Sequence, residues 1–121
     1  MGAPLTLFQL AQHGMSAQLV RMNAAASNLA NAGAVSSSAD TAYRAIRPIF
    51  ASHLDAASGL ATADVVAVER DRAAPLREHN PDHPLADANG DVWAAPVDEN
   101  AEMVEMLESS RQYQNLVEAL S

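Results

Sequence analysis

Cysteine and lysine are both missing from the 121 residues, and aromatic side chains make up only 4% of them. Without cysteine there is neither a disulfide nor a thiolate metal site. Arginine is the only fixed cation and the formal net charge is -8, which argues against nucleic acid or an anionic membrane as main partner. So few aromatics leave the middle of the chain short of large side chains, and a shallow core completed by partners is expected. Residues 1–39 carry Arg21 as their one charge, so the acidic excess lies wholly beyond them. No apolar run approaches the length of a membrane span, and no basic stretch precedes a continuous apolar one. Neither direct membrane insertion nor a cleaved signal peptide is expected. Met1-Gly2-Ala3-Pro4-Leu5-Thr6 fits a loose N-myristoylation pattern, but Pro4 and Thr6 read as the start of a helix.

The strongest pattern is helical. Leu5, Phe8, Gln12, Met15, Leu19, Met22, Ala26 and Leu29 alternate by three and four, placing one apolar seam along a helix that ends near Asn31 to Gly33. Such a helix is roughly 37 Å long, more than a domain of this size needs, so it is expected to reach beyond its own subunit. Its other face carries Gln9, Gln18, Asn23, Ser27 and Asn28, neutral groups suited to close packing against protein. Gly14, inside the helix, marks a point where another backbone is expected to come close. From Val97 a second helix begins, acidic in its first turns, with Met103, Met106, Ser110, Tyr113, Val117 and Leu120 in the same spacing. The two seams predict an antiparallel coiled coil, with Met15, Leu19 and Met22 against Met106 and Tyr113 inside the subunit.

Between the helices, Ser36 to Asp40 reads as a loop. Ile46 to Phe50 and Ala63 to Asp71 read as strands, with Pro75 to Glu78 extending the sheet. Asn89-Gly90 signals a type I′ hairpin returning through Val92 and Trp93. The expected fold is mainly α with a small antiparallel β insert. Its helical core is residues 1–33 plus 96–121, and its small β-rich unit is residues 34–95.

Candidate chemistry is thin. His79, Asp82 and His83 lie among prolines that forbid a shared helical face, and no third imidazole is near, so no metal or other cofactor is expected. Asp87 to Asp91 lacks the closing glutamate of a calcium loop. Glu102, Glu105 and Glu108 form a stripe suited to solvent or to basic partners. With no phosphate loop and no nucleophile elbow, an enzyme is not expected.

Gly14-Met15-Ser16-Ala17-Gln18, Arg21, Asn23 and Ser27-Asn28-Leu29-Ala30-Asn31-Ala32 resemble the N-terminal motif of the flagellar axial proteins, the rod and hook subunits of bacteria. Tyr43-Arg44-Ala45, Asp82 to Gly90, Glu102-Met103-Val104, Ser110-Arg111, Tyr113-Gln114 and Asn115 resemble the rod members in the same order. The resemblance implies a structural subunit of the basal-body proximal rod. It would assemble with copies of itself and neighbouring rod subunits into a helical tube in the periplasmic space, transmitting torque and forming part of the export channel. It also implies passage through the flagellar type III export apparatus and contact with a basal-body adaptor protein. The packing surface is then expected at Leu5, Phe8, Met15, Leu19, Met22, Asn23, Asn28, Leu29 and Asn31, and at Met103, Met106, Leu107, Arg111, Tyr113, Asn115, Val117 and Leu120. The other class consistent with these patterns is a small soluble helical adaptor or export chaperone that binds one client.

Overall fold

The computed structural model describes residues 4–121, so the first three residues of the acylation-like pattern lie outside it. The elements in chain order are α1 (Leu7–Ala30), β1 (Val35–Ser36), β2 (Ile46–Asp55), β3 (Leu60–Arg70), β4 (Leu76–His79), β5 (Asp91–Ala94) and α2 (Glu99–Ala119). The expectation of a mainly α fold with a small β insert is corrected. Helix accounts for 38% and strand for 26%, in two separate antiparallel sheets. The difference lies in residues 51–61, where Ala, Ser and His gave little strand signal. They continue β2 and β3 into a two-stranded ribbon paired from Ile46 with Arg70 to Asp55 with Leu60. The ribbon turns at Gly59, whose φ of 74° needs a residue without Cβ.

Helix α1 begins in a capping box. Thr6 Oγ1 accepts from the Gln9 amide at 3.1 Å, and Gln9 Oε1 accepts from the Thr6 amide at 3.0 Å. It ends without the left-handed residue expected there. Asn31 stays at φ -105° and its Nδ2 donates to the Ser27 carbonyl at 2.9 Å. Helix α2 starts at Asp98, whose Oδ1 accepts from the amides of Asn100 and Ala101. The helices lie antiparallel, since Arg21 meets Glu105 while a Cβ at Gly14 would fall 2.9 Å from Leu116 Cδ1. The close approach at Gly14 is thus by a leucine side chain and not by the backbone expected there.

The ribbon lies along another side of α1 with its base clamped and its tip tied. At the base, Asn28 is fully buried. Its Oδ1 accepts from the Ile46 amide at 2.8 Å and the Tyr43 hydroxyl at 2.7 Å, and its Nδ2 donates to the Ile46 carbonyl at 3.2 Å. One side chain thereby satisfies both backbone groups of the first ribbon residue, which helix packing would otherwise leave unpaired. Near the tip, Asp55 Oδ2 accepts from the Leu5 amide at 2.9 Å, and midway His13 Nδ1 lies 2.6 Å from Asp64 Oδ1. A ten-residue strand spans roughly 33 Å and a 24-residue helix roughly 36 Å, so the two run nearly end to end.

The second sheet has the order β1-β5-β4. Val35 and Ser36, read as the edge of a loop, pair with Ala94 and Trp93. Strands β4 and β5 are joined by a long loop and not by a type I′ hairpin. Asn89 has no positive φ, Gly90 does at 79°, and the Gly90 amide donates to the Asp87 carbonyl at 3.0 Å. The Asp87 carboxylate, accepting from the amides of Asn89 and Asp91 at 2.9 Å each, takes over the role that two left-handed residues would have played.

Two predictions follow from the clamp and the ties. Asn28→Leu leaves the Ile46 amide, the Ile46 carbonyl and the Tyr43 hydroxyl unpaired, and at about 1–3 kcal/mol for each such group it should destabilise the subunit by about 3 kcal/mol or more. Asn31→Ala, which removes one half-buried bond, should lose about 1 kcal/mol. Urea midpoints, with amide exchange read at Ile46, measure both.

Three aspartates on the ribbon side are held below the usual range: Asp55 by the Ser58 hydroxyl and the Leu5 amide, Asp64 by the Thr62 hydroxyl and His13, and Asp71 by the Ala73 amide and Arg47. A depressed folded pKa means the stabilisation is complete above the unfolded value of about 4 and is lost as the pH falls through the lower folded values. A dye pair at Ala57→Cys and Leu7→Cys, in a chain free of other thiols, should report a ribbon tip close to α1 at pH 7 that is released as the pH falls below the ordinary carboxylate range. Asp55→Asn with Asp64→Asn should show the released distance already at neutral pH; an unchanged distance in that variant contradicts the tie.

Candidate assembly surface

Side-chain size decides which face of α1 turns inward. The buried positions are Ala11, Ala17, Ala24, Ala25 and Asn28. With Gly14, Gln18 and Arg21 they form a line, 11, 14, 18, 21, 25 and 28, that also alternates by three and four. It lies one residue before the apolar seam, a rotation of about 100° around the helix. Small residues let α2 and the ribbon approach α1 closely, and the seam read from the larger side chains is left partly outside.

The expected packing residues therefore divide. Asn28 is buried, while Leu5, Met15, Met22, Leu29, Asn31, Met106 and Tyr113 are half-buried. Phe8 is 57% exposed, Leu19 41% and Leu107 65%. Met103, Val117, Leu120, Asn23, Arg111 and Asn115 are exposed as well. On α2 the inward line runs through Glu102, Met106, Ser109, Tyr113 and Leu116, and an outward line runs through Val104, Leu107 and Arg111. The arrangement in which Met15, Leu19 and Met22 all close against Met106 and Tyr113 gives way to one in which Leu19 faces out. Several neutral polar groups expected to face neighbours are used within the subunit: Gln18 Oε1 accepts from Arg21 at 2.8 Å, and the Ser27 hydroxyl lies 3.0 Å from that of Tyr43.

Charge is placed at the joints. Arg21 Nε donates to Glu105 Oε1 at 2.6 Å, with Glu108 4.0 Å from Nη2. The bond to Glu105 raises the guanidinium pKa further. Arg47, on β2, donates from Nη1 to Glu102 Oε1 at 2.5 Å, and its Nε is 3.4 Å from Asp71. The acidic stripe of α2 thus meets basic groups of its own chain. These partners were not singled out from the sequence, although a lone arginine on an otherwise uncharged helix is the signal that could have found Arg21. The small-residue line was the other available signal, masked by the stronger apolar one.

The apolar core among the described residues consists of seven alanines and Val92. Outside it, the outward residues of α1 and α2 and the ribbon's Leu54, Val66 and Val68 leave large apolar side chains in solvent. A groove of about 850 Å3 with mixed walls runs between α1 and the ribbon, lined by Gln9, Gln12, His53 and Asp64 together with Leu5, Val20 and Val65 among others. His79 Nδ1, 2.9 Å from Asp91 Oδ1, serves a cross-strand pair on the second sheet.

Comparisons with known proteins accord with a subunit that is finished by assembly. A family model described as "Flagella basal body rod protein" matches residues 8–33, nearly all of α1. The flagellar basal-body rod protein FlgC of Salmonella typhimurium is 41% identical over 121 residues, covering 98% of this chain and 89% of that protein. FlgC of Yersinia enterocolitica is 41% identical over 97% of this chain and 87% of its own length. FlgC of Agrobacterium fabrum is 34% identical over 87% of this chain and 76% of its own length. Identity at this level along both chains means that the protein belongs to the FlgC family of flagellar basal-body rod proteins and is a structural rod subunit, not an enzyme.

Proposed function

We propose that this chain is a subunit of the proximal rod, joined to copies of itself and to neighbouring rod subunits through the outward apolar lines of α1 and α2. The observation that carries this reading is the inversion of size. Alanines fill the subunit interior while Phe8, Leu19, Leu107 and Val117 stand in solvent. Burying each such side chain between subunits contributes about 1.5–3 kcal/mol, against under 1 kcal/mol for an alanine methyl. Most of the hydrophobic stabilisation is then gained on assembly.

In this reading the assembled helices form a helical tube that transmits torque and lines part of the export channel, in the periplasmic part of the basal body. The chain travels through the flagellar type III export apparatus without a cleaved signal peptide, and a basal-body adaptor protein receives it. A thin alanine core suits such a route, because a weakly stabilised chain is readily kept unfolded for export. A self-contained adaptor or chaperone would instead need its larger apolar residues inside.

Leu107→Asp and Phe8→Asp change exposed positions, so secretion and the fold of the free subunit should be preserved while incorporation into purified basal bodies falls by at least tenfold. Glu69→Ala, on the exposed end of β3, should leave incorporation and motility unchanged. Normal levels of the Leu107→Asp subunit in purified rods would contradict the reading.

A further inference from the structure

The N-terminal turn of α2 holds a carboxylate that the subunit alone does not satisfy. Glu102 is 1% exposed. Its Oε1 is taken by Arg47 at 2.5 Å, whereas its buried Oε2 has no hydrogen-bond partner. Removing a carboxylate from water is expensive, and a single ion pair offsets it only when the remaining lone pairs are also satisfied. Glu102 lines a pocket of about 350 Å3 at the junction of α1, β2 and α2, whose walls combine Ala24, Ala25, Pro48, Phe50 and Ala101 with the paired charges Arg21, Arg47 and Glu105. Arg21 is paired with Glu105 and Arg47 with the other oxygen of Glu102, so the unpaired acceptor beside the alanine, proline and phenylalanine walls fits one more planar, weakly hydrated cation with an aliphatic stem, which describes an arginine side chain.

Arginine is the only fixed cation in this chain. Arg21 and Arg47 are committed to carboxylates, Arg77 lies 4.0 Å from Asp91, and Arg70 is stacked 5.3 Å from the Tyr43 ring centroid and bonded to the Arg44 carbonyl. Among the described residues this leaves the side chains of Arg44, Arg72 and Arg111 with neither a carboxylate nor another such partner. Arg111 alone of these stands on the outward line of α2, following Val104 and Leu107 by seven and four residues. An unpaired charge inside a surface that is to be buried needs an acceptor on the other side. We infer that Arg111 of one copy inserts into the Glu102 pocket of a neighbouring copy and bonds the free carboxylate oxygen. This contact deepens the rod-subunit reading and rests on it.

The test is a double-mutant comparison of incorporation into purified basal bodies at limiting expression, with secretion and circular dichroism of the free subunit measured in parallel. Arg111→Gln changes an exposed side chain, so the subunit should fold and be secreted normally but incorporate about tenfold less, while Arg44→Gln and Arg72→Gln incorporate normally. Glu102→Gln should fall similarly, and the double variant should fall no further than the lower single, because one bond is lost in every case. If Glu102→Gln fails to fold through loss of Arg47 pairing, Arg111→Gln and a partial rescue by Arg111→Lys decide alone. Normal incorporation of Arg111→Gln while Leu107→Asp is excluded overturns the pairing and leaves the rod interface standing. Defects that multiply in the double variant overturn it too. Normal incorporation of both Arg111→Gln and Leu107→Asp overturns the interface as well.

Discussion

The buried amide of Asn28 is the constraint on which the arrangement depends. A helix surface cannot by itself satisfy a strand that starts against it, because its own backbone bonds are internal. Asn28 supplies the missing donor and acceptor to Ile46 at one point, and Tyr43 closes the remaining acceptor position. That point sets where the ribbon begins and the side of α1 it follows. Arg47, one residue further on, is brought to Glu102, so the clamp also fixes the start of α2 against the ribbon base. Toward the tip the restraints are single carboxylate hydrogen bonds, to the Leu5 amide and to His13, nearer to solvent and hence weaker. The ribbon is graded from a neutral, buried root to a charge-tied end.

The clamp turns α1 so that its small residues face its own chain. Two consequences meet here. Close approach is possible at Gly14 and along the alanines, and the larger apolar residues are displaced to the outside. In the proposed reading the displacement serves assembly, because an assembling subunit must keep adhesive surface that a solitary protein would hide. Arg21 is the only fixed charge on α1, and it is spent on α2, so the outward surface of the helix is apolar or neutral. Burial of that surface between copies then carries no desolvation of charge.

Much of this was legible in the sequence and some was not, for identifiable reasons. Long apolar periodicity marks both helices to within about three residues of their ends, and the family is carried by the motif around Ser27 to Ala32 and by the acidic and aromatic stretch of α2. Burial could not be read from the same periodicity. Two lines one residue apart share the three-four spacing on α1, and hydrophobicity selects the larger side chains while close packing selects the smaller. The ribbon was half visible, since its middle is built of Ala, Ser and His, whose pairing is decided by α1 alongside. Asn28 drew notice as part of a motif at a helix end. Its partners, 15 and 18 residues away, could be found only in three dimensions.

Thiol accessibility tests the division of faces most directly, because a chain without cysteine reports only the site introduced. Ala25→Cys and Leu107→Cys would be labelled with a maleimide in free subunits and again in purified basal bodies. The account predicts that the thiol at position 25 is unreactive in both states, while that at position 107 reacts in the free subunit and is protected in the rod. Reaction at position 107 that is equally fast in assembled rods would contradict it, since the outward line of α2 would then remain in solvent.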